Sequence, residues 1–301
     1  MQPLREARAD PSHVRQSRLA AALRGVAGAL LLALALITPA EARTLTMTLA
    51  GERTRVDVTE PAGTTDAASR RDAVILAHGF MRSRATMAGH ATMLARAGYW
   101  AIVPDLPYLL DSRDNAVALR ELVRQLQQGA AGVPLDRFVL VGFSAGGLSA
   151  LLAADAPGVA GYVGLDPFDR PSGVGLEAAR KLAIPAFLLR GPAAACNAYS
   201  IAEPWVTALP GLVQDQQLAA ASHCDFESPT DGVCSFVCGD TSPRIQAAVS
   251  AFLLDSVRHA LPPFGSKQPA FARPAQPEVD EVAHQPQEQP ATHRSGAGIG
   301  Q

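Results

Sequence analysis

The chain has 301 residues and a formal net charge of −2, and its composition is 48% hydrophobic and 18% charged. These values are those of a globular protein, and the nearly balanced charge gives no support for nucleic acid as a partner. The length allows one large domain or two small ones.

The first 42 residues have the pattern of a secretory signal peptide. Five arginines between positions 5 and 24 precede the apolar run VAGALLLALALI at 26–37, and TPAEA follows it. A basic start, a short apolar run and an A-x-A end are typical of a cleaved export signal. The run is shorter than the roughly 20 apolar residues that a transmembrane helix needs. We therefore expect cleavage after Ala42, export to the periplasm or the medium, and no integral membrane association afterwards.

Strand and helix patterns alternate after this segment. The alternation of apolar and polar residues on both sides of Ala50 and Gly51 predicts a β-hairpin or two edge strands. Continuous apolar runs further along predict buried strands, and helical patterns lie between them. The predicted strands cover 73–79, 99–107, 137–144, 161–166, 185–191 and part of 211–221, and the predicted helices cover 85–97, 114–128, 145–154, 175–183 and 243–260.

Buried strands that alternate with helices indicate an α/β domain, with a mostly parallel, doubly wound sheet that is covered by helices on both faces. We predict this catalytic domain over residues 43–261. The stretch 262–301 is rich in Pro, Gln and Ala without any period, and we expect it to be a disordered tail. Asp114 or Ser112 is the expected N-cap of the second predicted helix.

The segment Gly142-Phe143-Ser144-Ala145-Gly146 joins a predicted buried strand to a predicted helix. A G-x-S-x-G pattern at such a junction is typical of a nucleophile elbow, a strained turn that lifts the serine oxygen above the edge of the sheet. The N-terminus of the following helix favours negative charge that develops there. Ser144 is therefore the predicted nucleophile, and a plain glycine-rich turn is the alternative.

A nucleophilic serine needs a base, and in chains with this elbow the order is serine, then acid, then histidine. Of the seven histidines, only His223 follows the serine in a loop after the last predicted strand. The others lie in the leader, before the serine, at the end of the last helix or in the tail: His13, His78, His90, His259, His284 and His293. His223 is the predicted base, and a surface-loop histidine is the alternative.

The predicted acid is Asp166, because it ends the strand GYVGLD at the sheet edge where Ser144 is also expected. A carboxylate there can orient the imidazole and stabilise its charged form. Asp169 and Glu203 remain alternatives, and an aspartate before a proline is also a common way to start a turn.

An acyl-transfer site also needs N–H donors for the oxyanion. We expect one from Ala145, directly after the nucleophile, and the second from Phe80 in the loop HGFM, with Met81 as the alternative and His78 as a support of that loop. The aromatic residues predicted to form an apolar acyl pocket are Phe143, Tyr108, Phe168 and Phe226, for each of which core packing is the alternative.

The four cysteines, Cys196, Cys224, Cys234 and Cys238, all fall in one late segment. In an exported chain this indicates up to two disulfides, with three connectivities open. His223 beside Cys224 gives a metal site as the alternative, but the spacing C-x9-C-x3-C differs from the closely paired cysteines of zinc sites. We therefore expect disulfides and no metal.

The motifs LAHGF, ARAGYWAIVPDLP, VLVGFSAGG, GYVGLDPF and ASHCDF together resemble the chlorophyllase-like and polyester-hydrolase-like (cutinase-type) branch of the α/β-hydrolase superfamily. The resemblance spans about residues 70–260. It implies an α/β-hydrolase fold with the elbow after the fifth strand, and the roles of nucleophile, acid and base for Ser144, Asp166 and His223. It also implies that Phe80 and Ala145 donate to the oxyanion.

These residues predict an exported serine esterase that hydrolyses small-molecule or polymeric esters in two steps, without a metal or an organic cofactor. Two other readings stay open at this point. One is a hydrolase-fold binding protein without turnover, and the other is a serine hydrolase that acts on amides or thioesters.

Overall fold

Eight strands form one sheet within residues 42–62 and 71–262, which are the residues that this computed structural model describes. All of them belong to one compact unit. Residues 1–41 of the predicted signal peptide 1–42 and residues 263–301 of the predicted tail 262–301 lie outside the described residues. The strands are β1 Ala42–Leu49, β2 Glu52–Thr59, β3 Asp72–Ala77, β4 Trp100–Pro104, β5 Arg137–Phe143, β6 Val159–Leu165, β7 Ala186–Arg190 and β8 Leu212–Gln217.

The strands lie in the order β1-β2-β4-β3-β5-β6-β7-β8. β1 and β2 form the antiparallel hairpin predicted around Ala50 and Gly51, and β2 also pairs antiparallel with β4. All the remaining pairs, from β4-β3 to β7-β8, are parallel. The predicted mostly parallel sheet is therefore confirmed, and β5 lies inside it between β3 and β6.

Helices cover both faces of the sheet, because alternate side chains of each buried strand point to opposite sides and both sides are apolar. α2, α3, α4 and α5 pack on one face, and α1 and α7 pack on the other. The helices are α1 Ala88–Arg96, α2 Ser112–Gln127, α3 Ala145–Ala153, α4 Val174–Ala179, α5 Trp205–Ala208, α6 Gly232–Cys238 and α7 Pro243–Ala260, with 3₁₀ turns at Arg84–Met87, Ala195–Asn197 and His223–Phe226.

The start of α2 differs from the prediction. Its N-cap is Asp111, whose carboxylate accepts hydrogen bonds from the backbone N–H groups of Arg113 and Asp114 at 2.9 and 3.1 Å. Ser112 is instead the first residue of the helix. An aspartate in this position satisfies two N–H groups that have no partner inside the helix, and this explains why the helix begins there.

The carboxyl ends of the parallel strands meet at one edge of the sheet. The loops after β3, β5, β6, β7 and β8 therefore come together there, as is usual where open α/β sheets bind ligands. No helix in the described part of the chain is long and apolar enough to cross a membrane.

Candidate active site

Ser144 lies at the turn between β5 and α3 in a strained backbone conformation, with φ 51° and ψ −122°. Such angles are unfavourable for a residue with a Cβ and persist only where the surroundings enforce them. A Cβ at Gly142 would lie 2.3 Å from the carbonyl oxygen of Gly146, and a Cβ at Gly146 would lie 2.3 Å from that of His78. Both glycines are therefore needed so that the elbow can pack against itself and against the end of β3.

Asp166 and His223 form a direct pair. Nδ1 of His223 lies 2.6 Å from Oδ2 of Asp166, and both side chains are almost fully buried. Asp166 follows the last residue of β6 and, like Ser144, has a positive φ, of 41°. An N–H donated from Nδ1 to the carboxylate leaves Nε2 of the imidazole free to accept a proton.

The elbow and the acid loop are joined through their backbones. The N–H of Ser144 donates to the carbonyl of Leu165 at 3.1 Å, and the carbonyl of Ser144 accepts from the N–H of Phe168 at 3.1 Å. The ring of Phe143 lies 4.6 Å from the imidazole of His223, centroid to centroid. The structure therefore places the predicted acid and base in direct contact and ties Ser144 to the loop of the acid, while Oγ of Ser144 makes no hydrogen bond in the described part of the chain.

Asn197 also contacts the acid, and no sequence pattern pointed to it. Its Nδ2 lies 3.2 and 3.3 Å from the two carboxylate oxygens of Asp166 and donates to the carbonyl of Pro192 at 2.8 Å. Its Oδ1 accepts from the backbone N–H groups of Ala194 and Ser200. The side chain is thus fixed on both sides and holds the loop after β7 against the acid.

The two alternative acids lie elsewhere. The buried carboxylate of Asp169 accepts four hydrogen bonds of 2.7 to 2.9 Å from the N–H groups of the following residue, of two residues at the start of α4 and of the Trp205 indole. These contacts occupy both of its oxygens. Glu203 is exposed. The carboxylate that meets His223 in the structure is that of Asp166.

The turn that carries His223 is anchored from α1. Nε2 of His90 lies 3.1 Å from the carbonyl of Phe226 and donates to it, while its buried Nδ1 has no partner among the described residues. Burial lowers the pKa of His90 to about 4, because a charged imidazole would lose its hydration there. His90 is therefore a neutral support of this turn at physiological pH.

The loop after β3 is the predicted second donor segment. His78 is buried, its Nε2 accepts a hydrogen bond from the N–H of Leu106 at 2.8 Å, and its Nδ1 lies 2.9 Å from the carbonyl of Gly79. Burial lowers the pKa of His78, so the neutral form that can accept from Leu106 is favoured. His78 thus ties the loop containing Phe80 to the loop after β4 and is a structural support.

A buried ion pair ties the loop after β3 to the loop that carries His223. The guanidinium of Arg82 donates two hydrogen bonds, of 2.6 and 2.8 Å, to the carboxylate of Glu227, which is 0% exposed. Arg82 also lies 3.1 Å from Asp231. The hydrogen bond to Glu227 raises the pKa of Arg82, so the arginine stays charged.

A cavity of about 530 Å³ opens beside the elbow. Ser144 and Ala145 contribute to its wall, as do Phe80 and Met81. Its remaining lining residues are His78, Gly79, Arg82, Leu106, Pro107, Tyr108, Leu109, Leu110, Ser112, Asn115, Ser149, Phe168, Arg170 and Cys196.

The four aromatic residues predicted for the pocket divide into two pairs. Tyr108 and Phe168 line the cavity. Phe143 and Phe226 do not line it, because Phe143 is the last residue of β5 and packs into the apolar core, while Phe226, the last residue of the turn that carries His223, is 0% exposed. The cavity wall therefore contains two of the four predicted aromatic residues, together with other residues of the loop after β4.

The cysteines form two disulfides, Cys196–Cys238 and Cys224–Cys234. The first joins the loop after β7, which contains Asn197, to the end of α6. The second closes the segment between the turn of His223 and α6. Three of the sulfurs lie within 4.8 Å of one another, but as disulfides they offer no thiolate to a metal.

Comparison with known proteins gives structural relatives only. No family model and no curated protein matches this chain. The dienelactone hydrolase from Anabaena variabilis ATCC 29413 matches with a TM-score of 0.54 at 20% identity, over 72% of this chain and 99% of that one. The ferulic acid esterase from Streptomyces cinnamoneus matches with a TM-score of 0.56 at 17% identity, over 74% of this chain and 92% of that one.

The fold is the α/β-hydrolase fold. This confirms the predicted fold class, with the elbow after β5, the fifth strand. The chlorophyllase-like and cutinase-type branch stays a prediction.

Proposed function

We propose that this protein is a serine hydrolase of carboxylic esters. The observation that carries the proposal is the strained Ser144, which lines a cavity at the carboxyl edge of the sheet beside a buried Asp166–His223 pair. A strained non-glycine residue is retained where the surrounding structure holds it, and such residues concentrate at functional sites. The names of the two structural relatives, a hydrolase and an esterase, agree with this class.

In the proposed reaction Oγ of Ser144 attacks the ester carbonyl while Nε2 of His223 takes the serine proton. His223 then gives this proton to the leaving alcohol, which departs and leaves an acyl group on Ser144. A water molecule attacks the acyl group by the same route and releases the carboxylic acid. Asp166 holds the imidazole by its 2.6 Å contact and stabilises the imidazolium that forms in each step.

Two backbone N–H groups are proposed to hold the oxyanion. The N–H of Ala145 belongs to the first residue of α3, where N–H groups have no partner inside the helix. The N–H of Phe80 belongs to the loop that His78 and Arg82 tie down on either side. Donors fixed in advance in this way need no reorganisation during the reaction, which is the main source of their effect.

The cavity suits an ester with an apolar part. Its wall is mostly apolar, with Leu109 and Leu110 exposed at the loop after β4 and Tyr108 and Phe168 inside it. We propose small-molecule or polymeric esters as substrates, since the cavity lies in a surface loop region and not inside the sheet.

We also propose that the chain is exported. Two disulfides, which join α6 to loops at the candidate site, support an oxidising compartment. Export is tested by the mass of the protein recovered from the medium or the periplasm. The recovered chain is expected to begin after Ala42. Recovery of the uncleaved chain from the cytosol would contradict it.

The activity is tested with p-nitrophenyl esters from acetate to palmitate. We expect wild-type protein to hydrolyse at least the shorter esters, and Ser144→Ala to lose several orders of magnitude in kcat. Ser235→Ala, a matched change on α6, is expected to retain full activity. Equal rates for wild type and Ser144→Ala would overturn the proposal, and so would the absence of any hydrolysis by wild type.

A further inference from the structure

One arginine in the cavity wall has no counter-charge among the residues that the structure describes. The wall contains two arginines, Arg82 and Arg170, and none of its described lining residues is an aspartate or a glutamate. Arg82 is bound to Glu227 and Asp231. The side chain of Arg170 makes no ion pair or hydrogen bond within residues 42–62 and 71–262, although it is half-buried.

The lack of a charged partner for the half-buried Arg170 among the described residues is unusual in this protein. In the described part of the chain six arginines are half-buried, and the other five each lie within 4 Å of a carboxylate. Those five are Arg82, Arg84, Arg120, Arg137 and Arg190. Partial removal of a guanidinium from water is unfavourable unless hydrogen bonds to a partner replace its hydration. Arg170 is the sixth half-buried arginine, and no described residue supplies a partner for its side chain.

The position of Arg170 is set by rigid neighbours. Asp169 accepts the N–H of Arg170 at 2.7 Å and also binds the start of α4 and the Trp205 indole. Two residues before Arg170, the N–H of Phe168 donates to the carbonyl of Ser144. The loop that carries the guanidinium is therefore fixed to the backbone of the candidate nucleophile.

We propose that Arg170 binds a carboxylate on the substrate, so that the preferred esters carry a negative charge on the acyl or the alcohol part, a few carbon atoms from the scissile carbonyl. The planar guanidinium donates two parallel hydrogen bonds to a carboxylate, which fixes orientation as well as position. The apolar wall near Phe168 and Tyr108 accommodates the carbon skeleton. This assignment rests on the proposed ester hydrolysis and names its substrate class.

Two pairs of esters test the assignment. The first pair is p-nitrophenyl hydrogen glutarate and its neutral methyl ester, with the charge on the acyl part. The second is 4-carboxyphenyl butyrate and its neutral methyl ester, with the charge on the alcohol part. For each pair the measured quantity is kcat/KM of the anionic ester divided by kcat/KM of its neutral methyl ester. For at least one pair we expect this ratio to exceed one in the wild type. Arg170→Gln is expected to reduce the ratio by about 10- to 100-fold, as for loss of a hydrogen bond to a charged group.

Controls separate the charge at this site from the charge of the whole protein. Arg180→Gln removes the same charge from an exposed position at the end of α4 and is expected to leave both ratios unchanged. Arg170→Glu is expected to reverse the preference to the neutral ester. If both ratios are the same in wild type and Arg170→Gln, the assignment is wrong although ester hydrolysis stands.

A binding measurement does not depend on turnover. Titration calorimetry compares 4-phenylbutyrate with the neutral 4-phenylbutyramide, and we expect Arg170→Gln to weaken binding of the carboxylate by about 10-fold or more and to narrow the difference between the two ligands. Equal affinity of wild type and Arg170→Gln for 4-phenylbutyrate would overturn the anion site. That result would hold even if no ester were hydrolysed, so failure of the site and failure of the proposed function are distinguishable.

Discussion

Replacement of Arg82 by leucine tests whether a buried charge pair holds the two loops of the site together. In the wild type the guanidinium donates two hydrogen bonds to Glu227, which is 0% exposed, and the Arg82 side chain is itself only 12% exposed. Arg82→Leu leaves a buried carboxylate with one remaining donor in the described part of the chain, the hydroxyl of Thr230 at 3.1 Å. An unpaired buried charge of this kind costs about 3–5 kcal/mol in the free energy of unfolding.

The assay is urea unfolding at pH 7, followed by circular dichroism with the disulfides intact. A surface pair supplies the control: Lys181 and Glu177 lie one helical turn apart and are 72% and 64% exposed, so Lys181→Ala is expected to cost no more than about 0.5 kcal/mol. The double variant Arg82→Leu/Glu227→Leu is expected to recover much of the loss, because it leaves no unpaired charge. A loss of under about 1 kcal/mol for Arg82→Leu would refute the argument.

Three further predictions concern the supports of the site. Asn197→Ala removes a hydrogen bond to the carboxylate of Asp166. Steady-state kinetics are expected to give a kcat lowered about 10-fold, with KM little changed. A change in KM alone would contradict a positioning role for Asn197. The pKa of His90 is lowered to about 4 in the folded state, so the unfolded state binds a proton first as pH falls below 6.5. The free energy of unfolding should therefore drop by about 3 kcal/mol between pH 6.5 and 4. Urea curves of His90→Gln should lack this part of the drop. The double variant Cys224→Ala/Cys234→Ala is expected to lose about 2–4 kcal/mol in the same assay, and an unchanged midpoint would show that the bond adds nothing to stability.

Most of the sheet was predictable because its strands are continuous apolar runs. Every buried strand of β3 to β7 reads in this way, and the hairpin follows from its alternating pattern. α6 was not predictable, since it has seven residues and its outward positions Val233, Phe236 and Val237 are apolar and exposed, which gives the reverse of the usual pattern. Two of its residues are disulfide-bonded, and these bonds fix it where apolar burial does not.

The triad candidates were accessible to sequence reasoning because the elbow motif marks the serine and the chain order restricts its partners. The residues that support them were not. Arg82 and Glu227 are 145 positions apart, and no local pattern connects them. Asn197 comes from a stretch without strand or helix periodicity, and it lies between a disulfide-bonded cysteine and a turn of positive-φ residues at 198–200. Long-range pairing of this kind becomes visible only in three dimensions.

Covalent labelling tests the central claim, that Ser144 is an activated nucleophile. An alkyl fluorophosphonate is incubated with the folded protein, and the modified residue is located by mass spectrometry of the peptides. We predict loss of fluoride and addition of one phosphonyl group on the peptide that contains Ser144, with much slower labelling in His223→Gln, because the base that takes the serine proton is then missing. No label on that peptide, or labelling at the same rate in His223→Gln, would contradict the account.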